Sequence, residues 1–287
     1  MTTALAPVPT ETTTAAGGSP APAPWYRISR RSARAGRSWA RGSVAVIVFF
    51  ALWEIGPLLA SESSRVFLPP FHQVLAAWWQ MLTDGVIWTH FSASLTRSVI
   101  GFTVATAAGV AVGLLIGWYR ILAQALNPLL ELFRNTAALA LLPVFTLLLG
   151  IGEISKVSIV IFAAFFPVLL NTIAGVRTVD PLLIRAGRSL GLGSPQLFRQ
   201  IILPAAVPTI FTGIRMAGTA SILVLIAAEM VGAKAGLGFL IISTQNSFLI
   251  PEMYAGILTI ALLGLGVNTV LVRAEQHFSR WQTPPHH

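Results

Sequence analysis

An all-α protein that crosses a membrane six times is what this sequence predicts, and three observations predict it. Only 10% of its 287 side chains are charged and 55% are apolar, whereas a soluble domain carries about 25% charged. Several apolar runs approach the ~20 residues that a helix needs to cross a bilayer. The arginines gather at the ends of those runs, as the positive-inside rule expects. The net charge of +9 therefore reads as topology and not as nucleic-acid binding, because no basic stripe interleaved with aromatics stands on a soluble segment. The chain has no cysteine, which excludes disulfides, thiolate metal sites and a cysteine nucleophile.

Taken in order, residues 1–42 are rich in Thr, Ala and Pro, then in Arg, with no apolar periodicity before Ser43. A disordered cytoplasmic tail with a basic end is expected there. A signal peptide would place its apolar core much nearer Met1. The first span is about Ser43 to Leu59, with Glu54 towards its far end. Pro69-Pro70 turns the chain, and Phe71 to Leu82 reads as an amphipathic helix. Trp78, Trp79 and Trp88 suit a membrane surface. The second span is about Leu95 to Trp118, where Gly101, Gly109, Gly113 and Gly117 permit close helix packing.

Tyr119 to Arg134 is either an interfacial helix or the start of a third span. That span, from near Leu129 to Gly150, is expected to bend at Pro143, with Glu131 and Arg134 paired at i,i+3. The fourth span is about Ser155 to Val176, the fifth Pro208 to Val231 and the sixth Tyr254 to Val272. Residues 232–252 read as a short surface helix with a loop. The membrane domain thus covers 43–280, and 281–287 form a C-terminal tail.

Between the fourth and fifth spans lies a polar island, Asp180 to Pro204, that reads as two short helices joined at a glycine turn. Asp180 is placed to N-cap the first helix and Pro181 suits its first position. Gly191 and Gly193 are expected to supply positive φ. Ser194-Pro195 repeats the start signal, and Pro204 is expected to stop the second helix. Leu197, Phe198, Ile201 and Ile202 share one face of it. A cationic hairpin with an apolar face to spare points to docking against another protein.

Six spans put both ends on one side, and the charges choose which. The tail holds Arg27, Arg30, Arg31, Arg34, Arg37 and Arg41; the connections on the same side hold Arg120, Arg134, Arg177, Arg185, Arg188, Arg199 and Arg215; the C-terminus adds Arg273 and Arg280. Those are fifteen of the 19 Lys and Arg, leaving Arg65, Arg97, Lys156 and Lys234 opposite. Both termini and the hairpin are expected to be cytoplasmic.

Enzymatic chemistry finds no support. A phosphate-binding P-loop needs a lysine directly after glycine, and Lys156 follows Ser155 while Lys234 follows Ala233. No His-Glu-x-x-His, Gly-x-Ser-x-Gly or clustered metal ligands occur, so no catalytic or metal residue is assigned. Glu229 is expected at the outer interface, where hydration makes a carboxylate cheap, and Arg215 is expected to snorkel to the cytoplasm. Asn171, Thr172, Thr219 and Ser221 are the polar residues nearer mid-membrane. They serve either as glue between helices or as the lining of a hydrated route without a strong binding site.

Arg185-Ala186-Gly187, three residues, Gly191, nine residues, then Ile201-x-Leu203-Pro204 resembles the EAA loop of ABC-importer permeases. Arg185 stands where glutamate is usual and Gly187 where alanine is usual. The resemblance runs from about Leu68 to Arg280, through Leu68-Pro69-Pro70, residues 150–156 (GIGEISK), Phe165-Phe166-Pro167, residues 171–177 (NTIAGVR) and residues 236–241 (GLGFLI). It is similar to the branch that imports sulfonates, taurine, nitrate and bicarbonate. The resemblance implies a type I importer fold in a bacterial cell membrane. It also implies two permease copies from one chain type, two ATPase subunits and one solute-binding protein. ATP and Mg would bind the partner ATPase, with no cofactor on this chain. Arg185, Ala186, Gly187, Gly191, Leu197, Phe198, Ile201, Leu203 and Pro204 would couple to the ATPase, and Asn171, Thr172, Thr219 and Ser221 would line the pathway. Two other readings stay open: a secondary transporter that uses Glu229 as proton carrier, and a membrane adaptor whose hairpin recruits a soluble partner.

Overall fold

The computed structural model describes Val44 and residues 46–57, 66–134 and 136–278. The expected tail at 1–42 and the C-terminal residues 281–287 lie outside these, as does the beginning of the first expected span. All described secondary structure is helical. Helix α1, Val46–Pro57, is apolar but short; on one of its faces Phe49 meets Trp53 edge-on, with centroids 6.0 Å apart. It belongs for the most part to a separate unit from the remainder of the chain.

The second unit, Gly56–His287, includes the amphipathic helix α2, Phe71–Thr83. That helix is followed by α3, Val86–Trp118, α4, Arg120–Arg134, a 3-10 turn at Ala138–Leu141 and α5, Leu142–Leu149. Next come α6, Glu153–Arg177, α7, Pro181–Ser189, α8, Ser194–Met230, α9, Leu237–Asn246, and α10, Ile250–Phe278. Four of these, α3, α6, α8 and α10, are long and apolar enough to cross a membrane. Helices α4 and α5, with the turn between them, make a bent pair that would serve as a fifth crossing.

Helix α6 is the centre of the bundle, packed along both α3 and α8. Its neighbour α3 runs parallel to it in fixed register. A Cβ on Gly101, Gly109, Gly113 or Gly117 would meet Val160, Val168, Thr172 or Val176 at 2.6 to 3.0 Å. Each step of four or eight residues on α3 is matched on α6, and Ala105 and Ala164, both fully buried, fill the gap in the series. Small residues on a single stripe let the two backbones approach closely enough for dispersion to hold them where no hydrophobic drive operates.

Three expectations are corrected here. The third span does not bend at Pro143: the α4 and 138–149 axes differ by 86°, and Pro143 lies in the first turn of α5, where its missing N–H costs nothing. Pro204 does not stop a helix. Residues 194–230 continue as one helix through a π turn at Phe198–Ile202, and that wider turn makes room where the proline ring would crowd the carbonyl a turn earlier. Helix α9 is not a surface helix. Leu237, Leu240, Ile241 and Thr244 are buried, and α9 packs on α10 and α8.

Candidate functional site

The hairpin forms largely by local rules. The Asp180 carboxylate accepts from the Leu182 N–H at 2.8 Å and caps α7. Gly191 has φ +79°, and after it the Leu192 N–H donates back to the Gly187 carbonyl at 3.1 Å. Gly193 differs from expectation. Its φ is −68°, and it acts as N-cap of α8, its N–H donating to Gln196 Oε1 at 3.1 Å.

The apolar face expected to be free is not free. Leu197 and Ile202 are buried with Val176, Val179, Ala206 and Ile210, and Phe198 and Ile201 pack against the same cluster. Phe198 meets Trp118 edge-on with centroids 4.9 Å apart. Those four residues hold α8 to the bundle because helical periodicity says which residues share a face and not what the face meets. Gly187 lies beneath them: a Cβ there would sit 2.5 Å from Ile201 Cδ1 and 2.8 Å from Leu197 Cδ1. The exposed side of the hairpin is instead α7 and its turn. Leu182, Leu183 and Leu190 stand open, Leu190 with 82% of its surface exposed. Arg185, Ala186, Arg188 and Arg199 are exposed around them, Pro204 is exposed and Leu203 is half-buried.

The four polar residues expected along a pathway separate into two pairs. Thr172 and Ser221 are buried inside the chain, their hydroxyls donating to the Val168 carbonyl at 2.7 Å and the Gly218 carbonyl at 2.8 Å. Thr219 is exposed, and half-buried Asn171 donates to the Pro167 carbonyl at 2.8 Å and reaches Met216 Sδ at 4.0 Å. Thr212, Arg215, Met216 and Thr219 share the open face of α8. Between α8 and α10, Thr219 and Asn268 line a cleft of about 400 Å3. Towards the hairpin end, Thr212, Arg215 and Glu275 line another of about 660 Å3. Arg215 does not simply reach into water; its Nη1 lies 3.3 Å from Glu275 Oε2. Glu131 and Arg134 pair at 3.5 Å on an exposed face.

At the opposite end of the bundle stands an ionic node that sequence reasoning misses. Glu229, expected to be hydrated, is 0% exposed. Ser94 Oγ donates to its carboxylate at 2.7 Å, Arg97 Nη1 at 2.7 Å and the Gly238 N–H at 3.0 Å. Arg97 also donates from Nη1 to the Ala235 carbonyl at 2.6 Å, and its Nε and Nη2 form a fork on Glu153 at 2.5 and 2.6 Å. Three acceptors meet the start of α9: His90 Nδ1 takes the Gly236 N–H at 3.1 Å, Ser94 Oγ the Leu237 N–H at 2.8 Å, and Glu229 that of Gly238. These are donors a helix start leaves without internal partners. Gly236, at φ +130°, and Gly238 leave no space for a Cβ, which would run into the Glu229 carboxylate and the Ile226 carbonyl. The sequence carries one signal of this node. His90, Ser94 and Arg97 are spaced by four and three, so they share a face of α3, but a span begun at Leu95 cuts that face in two.

Residues 105–283 match the family model of binding-protein-dependent transport system inner membrane components. The taurine transport system permease protein TauC of Escherichia coli is 34% identical over 245 residues, covering 84% of this chain and 88% of its own. The nitrate import permease protein NrtB of a Synechocystis species is 34% identical over 234 residues, covering 78% and 84%. In fold, the chain is similar to a chain of the inward-facing MetNI methionine ABC transporter, with TM-score 0.56 and 18% identity over 68% of this chain and 98% of that one. A family model matching more than half of the chain, with relatives at this identity, settles membership. This multi-pass membrane protein belongs to the binding-protein-dependent family of ABC transporter permeases, whose subunits have no catalytic site of their own.

Proposed function

We propose that this chain forms, as a homodimer, the membrane pathway of an ATP-driven importer for a small oxyanion such as taurine, another aliphatic sulfonate or nitrate. Membership in the family implies an ATPase and a binding protein, and the reading adds two ATPase copies and one binding protein that selects the solute. The observation that carries it is the hairpin. Leu182, Leu183 and Leu190 are exposed among Arg185, Arg188 and Arg199, on an element too polar to lie in hydrocarbon. An apolar patch with a basic rim fits a protein partner. In this reading the ATPase docks on α7 and its turn, while Gly187, Leu197, Phe198, Ile201, Leu203 and Pro204 transmit the movement into α8.

The pathway face follows from exposure and cost. Polar groups left in lipid are expensive, so the open face of α8, with Thr212, Arg215 and Thr219, together with Asn171 and Asn268, meets the second copy or water. Burial of Thr172 and Ser221 favours helix packing for those two. Glu229, fully buried among fixed donors, favours an anchoring role over that of a mobile proton carrier. The transport reading is tested with the permease, its ATPase and its binding protein in proteoliposomes. Uptake of taurine, ethanesulfonate or nitrate should require all three components and ATP; uptake without the ATPase would overturn it.

The reading also places both termini and the hairpin in the cytoplasm of a bacterial cell, with residues 43–59 as the first of six spans. The fifteen-to-four division of Lys and Arg supports this orientation. The chain holds no cysteine, so single replacements report cleanly. Ser194→Cys should react with an impermeant thiol reagent only from the cytoplasmic side and Ser247→Cys only from outside. The opposite pattern would overturn the orientation and the docking role with it.

A further inference from the structure

The node around Arg97 holds two carboxylates in different ways. Glu229 is fully buried and is held by Ser94 and Gly238 as well as by Arg97. Glu153 has 66% of its side chain exposed, and among the described residues its hydrogen bonds are the two from the Arg97 fork. A guanidinium fork matches any planar pair of oxygens, and neither its charge nor its shape distinguishes a side-chain carboxylate from a free oxyanion. Glu153 needs only to rotate its side chain towards water to leave that fork open, since it is the first residue of α6 with space around Gly150 and Gly152 before it.

The geometry points to Glu153 as a built-in plug on an anion site whose floor is Arg97, and we infer that a small monovalent oxyanion displaces it. This rests on the orientation proposed above, which sets the node at the outer end of the bundle, the side from which solute is delivered. Charge decides the valence of the ligand. Lys156 is buried near Arg97 and Glu153, its Nζ donating to the Gly152 carbonyl at 3.1 Å. With Glu153 in place, Arg97 and Lys156 balance Glu153 and Glu229. With Glu153 turned away, two cations face one carboxylate, and one negative charge restores the balance. A dianion would leave a surplus charge in a region of low dielectric, where it is costly. The start of α6 lies at the same place, and the positive end of its helix dipole adds to the attraction for an anion. A sulfonate, a carboxylate or nitrate fits; sulfate does not.

The test uses the permease–ATPase complex in nanodiscs without binding protein, with calorimetry of ethanesulfonate and of sulfate. Glu153→Gln removes the competing charge from an exposed position and leaves Glu229 and α9 untouched. Ethanesulfonate should bind about tenfold more tightly to this variant than to the wild type, the scale of one charge-assisted bond. Sulfate should gain much less, and adding Arg97→Lys to Glu153→Gln should remove the gain. Equal affinity in variant and wild type, or an equal gain for sulfate, overturns the site. So does a gain shown by ligand-free binding protein in place of ethanesulfonate, which would assign the fork to a partner's carboxylate. Loss of the import reading looks different: wild-type proteoliposomes would fail to take up any of the anions while Glu153→Gln still tightened ethanesulfonate.

Discussion

Glu229→Ala should give the largest loss of stability of any single substitution at the end of the bundle opposite the hairpin. It removes the acceptor of three donors at once and leaves the Ser94 hydroxyl, the Gly238 N–H and part of the Arg97 guanidinium buried without it. Removing one partner of a buried ion pair costs about 3–5 kcal/mol, because the remaining charge keeps its desolvation penalty. For a domain of this size that is a fall on the order of 10 °C in unfolding midpoint. Glu229→Gln keeps the shape and one acceptor oxygen, and should lie between the two. Replacing Arg97 and Glu229 together by methionine should recover part of the loss, since the guanidinium is then no longer buried without Glu229, although the Gly238 N–H still lacks its acceptor and Glu153 loses the Arg97 fork. Thermal unfolding in detergent decides it: a Glu229→Ala midpoint equal to that of the wild type would remove the node from any account of how α9 is held.

The second large effect falls on transport and not on stability. Gly191 has φ +79°, and nothing lies within 4 Å of where its Cβ would be. A side chain there is opposed by backbone conformation alone, at about 1–2 kcal/mol, and more for a β-branched residue. Gly191→Val should therefore insert and fold normally while turning α7 away from its place beside α8. Uptake should be abolished and the ATPase should co-purify poorly. Gly191→Asn, which tolerates the left-handed region, should retain most of the uptake. Replacing Leu182 and Leu190 together by alanine touches nothing buried and should weaken ATPase association without disturbing the turn. Phe198→Ala should act from inside, loosening the packing on Trp118 and giving a milder transport defect. If Gly191→Val at normal expression transports at the wild-type rate, the hairpin is a connector and the coupling role fails.

Signals that act within a few residues are legible in the amino-acid sequence. Asp180 and Pro181 start α7, Gly191 ends it in a left-handed turn, and the α2 helix at Phe71–Thr83 begins after Pro69-Pro70. Caps and turns are local because their partners lie within one turn of helix. Proline is less legible. Pro143 and Pro204 look like breakers in a sequence, yet one lies where an N–H has no partner to lose and the other follows a π turn. The context of a proline, and not its presence, sets its effect.

Composition and charge placement by themselves determined that this chain is a helical membrane protein, because a bilayer accepts only long apolar segments whose backbone bonds are internal. The same sequence determined the hairpin and its bends through short-range capping. Which faces meet was decided only by the tertiary structure. The four apolar residues at 197–202 turn inward and the leucines of α7 outward, although both sets have helical spacing. Arg97 and Glu229 stand 132 residues apart, and Glu229 reads as a hydrated interfacial charge unless α3 and α9 are placed around it. A charge in a membrane helix is tolerated through its neighbours, and those neighbours are set by the packing of α3, α6 and α8 rather than by anything written beside it in the chain.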